Sequence, residues 1–170
     1  MNKKIAVLIP CFNEEKTIKK VINDFKLAIP DSVVYVFDNA STDNTALIAK
    51  KAKAIVYSEK RKGKGIVMQR MFSDINADIY IVVDGDDTYE ASKSSEMVER
   101  LIEENLDLLV GTRKVIDSIG AYRWGHVFGN WMLTSSVSLI FGKGFNDMLS
   151  GYRVMSKRFV KSMPIMSKGF

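Results

Sequence analysis

The sequence predicts an α/β fold with a mainly parallel central sheet and helices on both faces. Short apolar segments rich in β-branched residues alternate with longer segments in which apolar residues recur at helical spacing. Polar residues directly follow four of the apolar segments, at residues 10–14, 38–43, 84–87 and 111–113. Because the carboxyl ends of parallel strands meet at one edge of a sheet, where ligands bind in such folds, we expect one site there.

The predicted elements follow one another as strand and helix along most of the chain. Strands are predicted over residues 5–9, 33–37, 55–57, 79–83 and 106–110. Helices are predicted over residues 14–28, 43–52, 65–75 and 94–104. Residues 124–141 predict an aromatic, weakly amphipathic helix, and residues 154–155 predict a last short strand. We therefore expect a single domain over residues 1–170.

The composition is that of a soluble globular domain and not of a disordered chain. Hydrophobic residues make up 46% of the 170 residues and charged residues 26%. A net charge of +5 suits anionic partners such as nucleotides or lipid phosphates, and equally a solvated basic surface. The one cysteine, Cys11, fits a reducing compartment, and no segment approaches the ~20 apolar residues of a membrane span. His126 is the only histidine, which argues against a Ser-His-Asp triad.

Three carboxylates stand directly after the most apolar predicted strand, at Asp84, Asp86 and Asp87. Carboxylates this close repel one another unless a cation lies between them. Carboxylate and phosphate oxygens suit Mg²⁺ or Mn²⁺, which would bridge the protein to a diphosphate. An acidic turn without a ligand is the alternative, since a lone DxD sequence is common by chance.

Further candidate residues follow the neighbouring strands. Asp38 ends a predicted strand, where an acidic residue can accept hydrogen bonds from a base or a ribose, whereas Asp43 is suited to capping the next helix. Residues 60–65 form a basic loop before a helix, which suits either a bound anion or a solvated surface. Arg113 and Arg153 lie beside glycine turns and offer bidentate phosphate contacts.

Four motifs occur in order along the chain: IPCFNEE at residues 9–15, DNASTDNT at 38–45, VDGD at 83–86 and DMLSGYR at 147–153. Together they resemble the motifs of family 2 glycosyltransferases with the GT-A fold. The branch that they resemble most is the polyprenyl-phosphate sugar transferases, which include dolichyl-phosphate mannosyltransferase. The resemblance covers nearly the whole chain, and four ordered motifs are more specific than any one of them. It implies a GT-A, Rossmann-like α/β sandwich.

The resemblance implies transfer of a sugar from a UDP- or GDP-sugar to an acceptor, a polyprenyl phosphate, in cell-envelope glycan synthesis. The implied place is the cytoplasm at the inner face of the cell membrane, with peripheral membrane contact and no nucleic acid partner. Relatives continue beyond residue 170, so we expect this domain to be incomplete at its C-terminus and its activity to depend on the missing part. The residues specify neither the donor sugar nor an oligomeric state.

The motifs also imply a role for each matched residue. The residues implied to bind the nucleotide are Pro10, Asn13, Glu14, Asp38, Lys64 and Asp84. The residues implied to hold Mg²⁺ or Mn²⁺ with the donor diphosphate are Asp84 and Asp86. The residues implied in catalysis are Arg113 and Arg153, which would meet a phosphate of donor or acceptor, and Asp147, on the acceptor side or as the general base.

Two alternatives stay open. Residues 79–88 also fit the hhhhDxDxT motif of haloacid-dehalogenase-like phosphatases, in which Asp84 would attack phosphate and Asp86 would act as acid and base before Thr88. That motif usually lies on the first strand, whereas three predicted strands precede it here. The second alternative is a non-catalytic module that binds nucleotides or nucleic acid, although no RNA- or DNA-binding motif is recognisable.

Overall fold

The computed structural model describes residues 3–112 and 150–164. Within these ranges the strands are β1 Ile5–Cys11, β2 Val33–Asp38, β3 Ile55–Ser58, β4 Ile79–Val82, β5 Leu108–Val110 and β6 Arg153–Ser156. The helices are α1 Ile18–Ala28, α2 Thr45–Lys51, α3 Lys64–Asp74, α4 Ser94–Glu103 and α5 Lys157–Ser162. A short 3₁₀ helix, Ala91–Lys93, leads into α4.

The described strands form one sheet in the order β3-β2-β1-β4-β6-β5. Strands β3, β2, β1 and β4 are parallel to one another, so the prediction of a mainly parallel sheet is confirmed. Strand β6 is antiparallel to both β4 and β5, and it places Arg153 opposite Val82 and Val110. Strand β5 therefore runs in the same direction as β4, and β6 begins at the edge of the sheet where β4 and β5 end.

The sheet is covered on both faces. Alternate residues of β1 point to opposite sides, so that Val7 and Ile9 join the core beneath α1, α2 and α4, whereas Ala6 and Leu8 join the core beneath α3 and α5. These four β1 residues are at most 2% exposed. A central strand buried on both faces has a continuous apolar sequence, which explains why β1 does not alternate with polar residues.

Tyr152 fixes the start of β6 against the helices. Its ring packs edge-on against Phe25, with the ring centroids 5.9 Å apart, and its hydroxyl lies 2.8 Å from Ser94 Oγ. Burial raises the pKa of Tyr152 to about 12, so the phenol is neutral at physiological pH. These contacts hold the antiparallel part of the sheet in register with α1 and α4.

Several predicted boundaries differ from the structure, among them the starts of α1 and β5. Helix α1 begins at Ile18 and not at residue 14, because residues 14–17 form turns in which Glu14 O accepts from the backbone N–H groups of Thr17 and Ile18. Strand β5 begins at Leu108 and not at residue 106, because pairing with β6 starts only there. The predicted aromatic helix over residues 124–141 lies outside the described residues.

Candidate functional site

A cavity of about 320 Å³ opens at the carboxyl edge of the sheet, where β1 and β4 end. It is bordered by residues from the loops that follow β1, β2 and β4 and from the start of α3. These residues are Pro10, Cys11, Phe12, Glu14, Asn39, Lys64, Val67, Asp84, Gly85 and Asp86. Three carboxylates and one ammonium group therefore share the wall of one concave surface.

Asp84 and Asp86 border the same cavity but have different partners. Asp84 Oδ1 lies 2.5 Å from Lys64 Nζ, an ion pair that joins the end of β4 to the first residue of α3. Asp86 is exposed, and its Oδ1 accepts hydrogen bonds from the Thr88 backbone N–H at 3.1 Å and from the Thr88 hydroxyl at 2.6 Å. The first carboxylate is thus neutralised within the chain, while the second faces solvent.

Helix α1 holds the acidic loop from one side. Thr17 Oγ1 donates to the carbonyl oxygen of Gly85 at 2.6 Å, and Lys20 Nζ lies 2.9 Å from Asp87 Oδ1. Asp87 has a φ of 61°, in the left-handed region that Asp tolerates better than most residues. These contacts fix the loop that carries Asp84 and Asp86 before any ligand binds.

Asn39, at the end of β2, fastens the basic loop to the edge of the sheet. Its Nδ2 donates to the carbonyl oxygens of Glu59, at 3.2 Å, and Arg61, at 2.7 Å. Its Oδ1 accepts from the backbone N–H of Gly63 at 2.9 Å. One buried amide thereby satisfies three backbone groups just before α3 and fixes the point from which Lys64 reaches Asp84.

Glu59 is a second anchor of the same loop. Its carboxylate accepts from the Arg61 guanidinium, at 3.0 and 2.9 Å, and from the Arg61 backbone N–H at 2.9 Å, and Arg70 lies 3.5 Å away. The Arg61 hydrogen bonds lower the pKa of Glu59 to about 2. This carboxylate is therefore charged across the physiological range.

Glu14 and Cys11 share the cavity wall with the carboxylates of Asp84 and Asp86. Burial, followed by the charge of Asp86, raises the pKa of Glu14. Burial also raises the pKa of the Cys11 thiol, and the nearby charges of Glu14 and Asp38 add to this effect. Cys11 is 3% exposed and stays a protonated thiol, which agrees with its interpretation as a small packing residue.

The two cavity carboxylates suit a divalent cation that brings part of its coordination shell with it. In residues 3–112 and 150–164, no three His, Cys, Asp or Glu side chains are grouped so that they could hold a metal ion. Mg²⁺ characteristically binds through one or two carboxylates together with water and substrate phosphates. Asp84 and Asp86 fit this kind of site better than a closed protein cage.

The predicted site residues fall into three groups. Pro10, Glu14, Lys64, Asp84 and Asp86 border the cavity together. Asp38 lies beside it, paired in register with Cys11, and its buried Oδ1 has no hydrogen-bond partner among the described residues. The third group is formed by residues that the structure either places elsewhere or does not describe.

Asn13 and Arg153 are not among the residues that border the cavity. Asn13 Oδ1 accepts from the backbone N–H of Thr42 at 2.8 Å, so this amide joins two loops instead of lining the pocket. Arg153 Nε donates to the carbonyl oxygen of Ser150 at 3.2 Å. Arg113 and Asp147 lie outside the described residues.

Three residues contribute to the site without having been predicted to do so. Asn39 lies in the DNASTDNT motif but had no predicted role. Phe12 lines the cavity with a side chain that is 45% exposed. Gly151 packs so closely behind Asp84 that a Cβ there would overlap the Asp84 carboxylate. Glycine at residue 151 has no local signal for this role, because the contact joins residues that are far apart in the sequence.

Asp43 stabilises the start of α2, in agreement with the capping prediction. Its Oδ1 accepts from the backbone N–H of Thr45 at 2.9 Å and from the Thr45 hydroxyl. Its Oδ2 accepts from the backbone N–H of Glu15 at 3.1 Å. The residue at the N-cap position itself is Asn44, so Asp43 acts from one residue earlier.

Comparison with known proteins identifies the family. The sequence model described as glycosyl transferase family 2 matches residues 6–162, which include nearly all of the described structure. The chain belongs to glycosyl transferase family 2. This membership makes the chain a glycosyltransferase, and it decides against the haloacid-dehalogenase-like phosphatase that the Asp84-x-Asp86-x-Thr88 sequence left open.

Curated relatives of this family 2 chain include bacterial and archaeal proteins. Protein RfbJ of Shigella flexneri is 57% identical over 122 residues, which are 72% of this chain and 95% of that protein. Glycosyltransferase AglJ of Haloferax volcanii is 34% identical over 98% of this chain and 54% of that protein. UDP-N-acetylglucosamine–dolichyl-phosphate N-acetylglucosaminyltransferase of Methanococcus voltae is 26% identical over 94% of this chain and 72% of that protein.

A solved glycosyltransferase structure shares the fold. Glucosyl-3-phosphoglycerate synthase of Mycobacterium tuberculosis, crystallised with Mn²⁺, UDP-glucose and phosphoglyceric acid, superposes with a TM-score of 0.77 and 26% identity. The match covers 99% of this chain and 61% of the synthase chain, so this chain spans under two thirds of that protein. The similarity confirms the predicted GT-A fold.

Proposed function

We propose that the cavity at the carboxyl edge of the sheet binds a nucleotide-diphosphate sugar, a UDP- or GDP-sugar, together with Mg²⁺ or Mn²⁺. The observation that carries the proposal is the presence of Lys64, Asp84 and Asp86 on the wall of one cavity. A diphosphate needs cationic partners, and a divalent cation needs oxygen ligands. The synthase that shares the fold was crystallised with both Mn²⁺ and UDP-glucose, which supports this assignment.

The base and ribose would lie between the ends of β1 and β2. The orphaned Oδ1 of Asp38 is a buried acceptor whose missing hydrogen bond costs roughly 1–3 kcal/mol. An N–H or hydroxyl group of a nucleoside would supply that bond. Phe12 offers an exposed ring on the cavity wall for contact with a planar base, and Pro10 and Glu14 complete this side.

Asp84 and Asp86 would hold the cation, and Lys64 would contact the diphosphate. When bound there, Mg²⁺ or Mn²⁺ supplies positive charge that neutralises the nucleoside diphosphate as it leaves the sugar. Lys64 adds an ammonium group on the same side, and the fixed acidic loop keeps both carboxylates in position without a large reorganisation.

The proposed acceptor is a polyprenyl phosphate. The Methanococcus voltae relative is named for a dolichyl-phosphate acceptor, and a net charge of +5 suits an anionic lipid. A phosphate oxygen is already an anion near neutral pH, so it can attack the anomeric carbon with little help from a base. We assign Arg113 and Arg153 to phosphate contacts and Asp147 to the acceptor side, where it would serve as general base for a hydroxyl acceptor.

A lipid acceptor would bring the protein to the inner face of the cell membrane for cell-envelope glycan synthesis. No helix in the described part of the chain is long and apolar enough to cross a bilayer. Contact through the surface, aided by basic side chains, is therefore the proposed mode of membrane association.

The donor site is tested by thermal unfolding of the full chain with UDP, GDP and their sugars, in Mn²⁺ and in EDTA. One nucleotide family should raise the Tm by about 5–10 °C at ~100 times its Kd, and only with the metal. Asp86→Ala should abolish the shift, whereas Asp31→Asn, at an exposed carboxylate before β2, should retain it. A shift that is unchanged in EDTA or in Asp86→Ala would contradict the proposed metal role.

The acceptor is tested separately by sugar transfer from the nucleotide sugar identified in that experiment. Polyprenyl phosphate, the corresponding polyprenol and 3-phosphoglycerate are compared at equal concentration. Product only with polyprenyl phosphate supports the lipid-phosphate acceptor. Product only with 3-phosphoglycerate would show that the chain shares the acceptor class of its structural neighbour instead.

A further inference from the structure

The ion pair between Lys64 and Asp84 places a cation of the chain itself next to a carboxylate proposed to bind metal. The two charged atoms are 2.5 Å apart, and the Asp84 side chain is only 19% exposed. The Lys64 side chain is 42% exposed, so solvent screens the pair in part, but the short distance keeps the ammonium group beside the carboxylate. In the unliganded chain, Asp84 is therefore not a free anion waiting for a metal.

The surroundings of the pair show why such a counter-ion is needed. The acidic and basic side chains that border the cavity, among the described residues, are Glu14, Lys64, Asp84 and Asp86, and the Cys11 thiol beside them is protonated. Three acids face one another across a concave surface, so Lys64 supplies the cationic charge on that wall. Lys64 begins α3 directly after the loop that Asn39 fastens, so its main chain is fixed while its long side chain can turn.

We propose that Lys64 is an exchangeable counter-ion: it leaves Asp84 for the donor diphosphate, and this exchange makes the metal and the nucleotide bind synergistically. The inference rests on the proposed donor site and adds a linkage between its two ligands. Without nucleotide, a divalent cation that approaches Asp84 must displace or approach an ammonium group. With a diphosphate present, the ammonium gains phosphate oxygens as partners and Asp84 becomes available to the metal.

The proposal has a thermodynamic signature that does not depend on turnover. If the nucleotide raises the affinity for the metal, the metal must raise the affinity for the nucleotide by the same factor. Coupling factors of this kind are typically about 5- to 150-fold. Removing the ammonium group should strengthen binding of the metal alone and weaken binding of the nucleotide. It should also lower the coupling factor, and the part that remains is the direct attraction between metal and diphosphate.

The experiment is a titration of the full chain with Mn²⁺, followed by the electron paramagnetic resonance signal of free Mn²⁺, with and without saturating UDP or GDP. A parallel titration of the nucleotide without protein corrects for the Mn²⁺ that the nucleotide itself binds. In Lys64→Met, Mn²⁺ alone should bind at least ~5-fold more tightly than in the wild type, and the factor by which added nucleotide raises that affinity should be at least ~5-fold smaller than in the wild type. Lys64→Arg keeps the charge and should retain most of the coupling. Lys60→Met removes an exposed cation of the same basic loop and should leave the coupling unchanged.

The outcomes separate this inference from the donor site on which it rests. If the wild type binds both Mn²⁺ and nucleotide, and Lys64→Met preserves the coupling or weakens binding of Mn²⁺ alone, the exchange is wrong and the donor site stands. If the wild type binds neither ligand, the donor site and the exchange fail together. Lys64→Gln is the second uncharged variant, and its Tm alongside that of Lys64→Met shows that both chains are folded.

Discussion

The parallel and antiparallel parts of the sheet contribute to the site in opposite ways. All the residues that border the cavity, in the part of the chain that the structure describes, come from residues 10–86, which hold the parallel strands, the loops after them and helix α3. The antiparallel part, β5 and β6, contributes close packing and no side chain of the cavity wall. Gly151 lies behind Asp84, and Gly111 lies against the ring of Tyr152. The parallel part supplies the charged groups of the cavity wall, and the antiparallel part packs behind one of them.

This difference predicts that the two parts of the sheet respond to different kinds of substitution. A substitution of a cavity residue in the parallel part removes a charge or a hydrogen bond. A methyl group added at either glycine of the antiparallel part instead overlaps a neighbouring side chain, which must move. The two glycines provide a matched pair, because the same substitution meets a site carboxylate at one position and a core ring at the other.

The largest expected effect is that of Gly151→Ala on donor binding. The new Cβ would overlap Asp84 Oδ2, so the carboxylate must move from its position beside Lys64. Losing well-placed contacts to a charged group corresponds to a fall in affinity of about 10- to 100-fold. Isothermal titration with the preferred nucleotide and Mn²⁺ measures this change.

Gly111→Ala is the control for Gly151→Ala. Its Cβ would overlap the Tyr152 ring, so we expect a loss of about 1–3 kcal/mol of unfolding free energy and little change in nucleotide affinity. In an Asp84→Ala background, the stability cost of Gly151→Ala should largely vanish, while that of Gly111→Ala should remain. If Gly151→Ala lowered the unfolding free energy equally in the wild type and in Asp84→Ala, the methyl group would not be displacing the Asp84 side chain.

The second prediction concerns Asn39→Ala, which tests the parallel part. Three backbone groups of residues 59–63 lose their buried partner, and the expected loss is about 2–3 kcal/mol in unfolding free energy. The loop should also exchange its amide hydrogens faster, and nucleotide affinity should fall because Lys64 follows directly. Asn76→Ala, at an exposed asparagine after α3, should change none of these quantities. Unaltered hydrogen exchange in residues 59–63 would refute the role of Asn39.

The elements of the parallel part could be predicted from the sequence because their signals are local. Helix α1 buries Ile18, Val21, Ile22 and Phe25, which recur at the spacing of one helical face. The acidic residues after β4 were predicted to share an edge with the end of β1, and the structure places Asp84 and Glu14 on one cavity. Strand direction alone determines this edge once the sheet is known to be parallel.

The antiparallel part could not be predicted in the same way. Nothing in residues 153–156 specifies that β6 lies between β4 and β5, because strand pairing depends on contacts between distant segments. The role of Gly151 depends on that strand pairing, so it could not be predicted from the sequence either. The start of α1 was misjudged for a local reason: Asn13 has a φ of 56°, and the turns after it delay the helix to Ile18.

The smallest expected effect compares one carboxylate–arginine pair from each part of the sheet. Hydrogen bonds from Arg61 lower the pKa of Glu59 to about 2, and hydrogen bonds from Arg158 and Ser156 lower the pKa of Asp107. A carboxylate whose pKa is lower when folded than when unfolded stabilises the fold above the unfolded pKa. For Glu59 this stabilisation is lost as the pH falls from about 4.3 to about 2.

Glu59→Gln should therefore flatten the decrease in unfolding free energy across that acid range, by less than about 1 kcal/mol because Arg61 is largely exposed. Asp107→Asn should flatten it less, because the Asp107 side chain is 44% exposed and the Glu59 side chain only 6%. Urea unfolding at pH 2, 3, 4 and 6 measures both variants against the wild type. If Asp107→Asn had the larger effect, burial of the carboxylate would not determine how much each pair contributes to stability. The loss of unfolding free energy in acid would then come mainly from the Asp107 pair, in the antiparallel part.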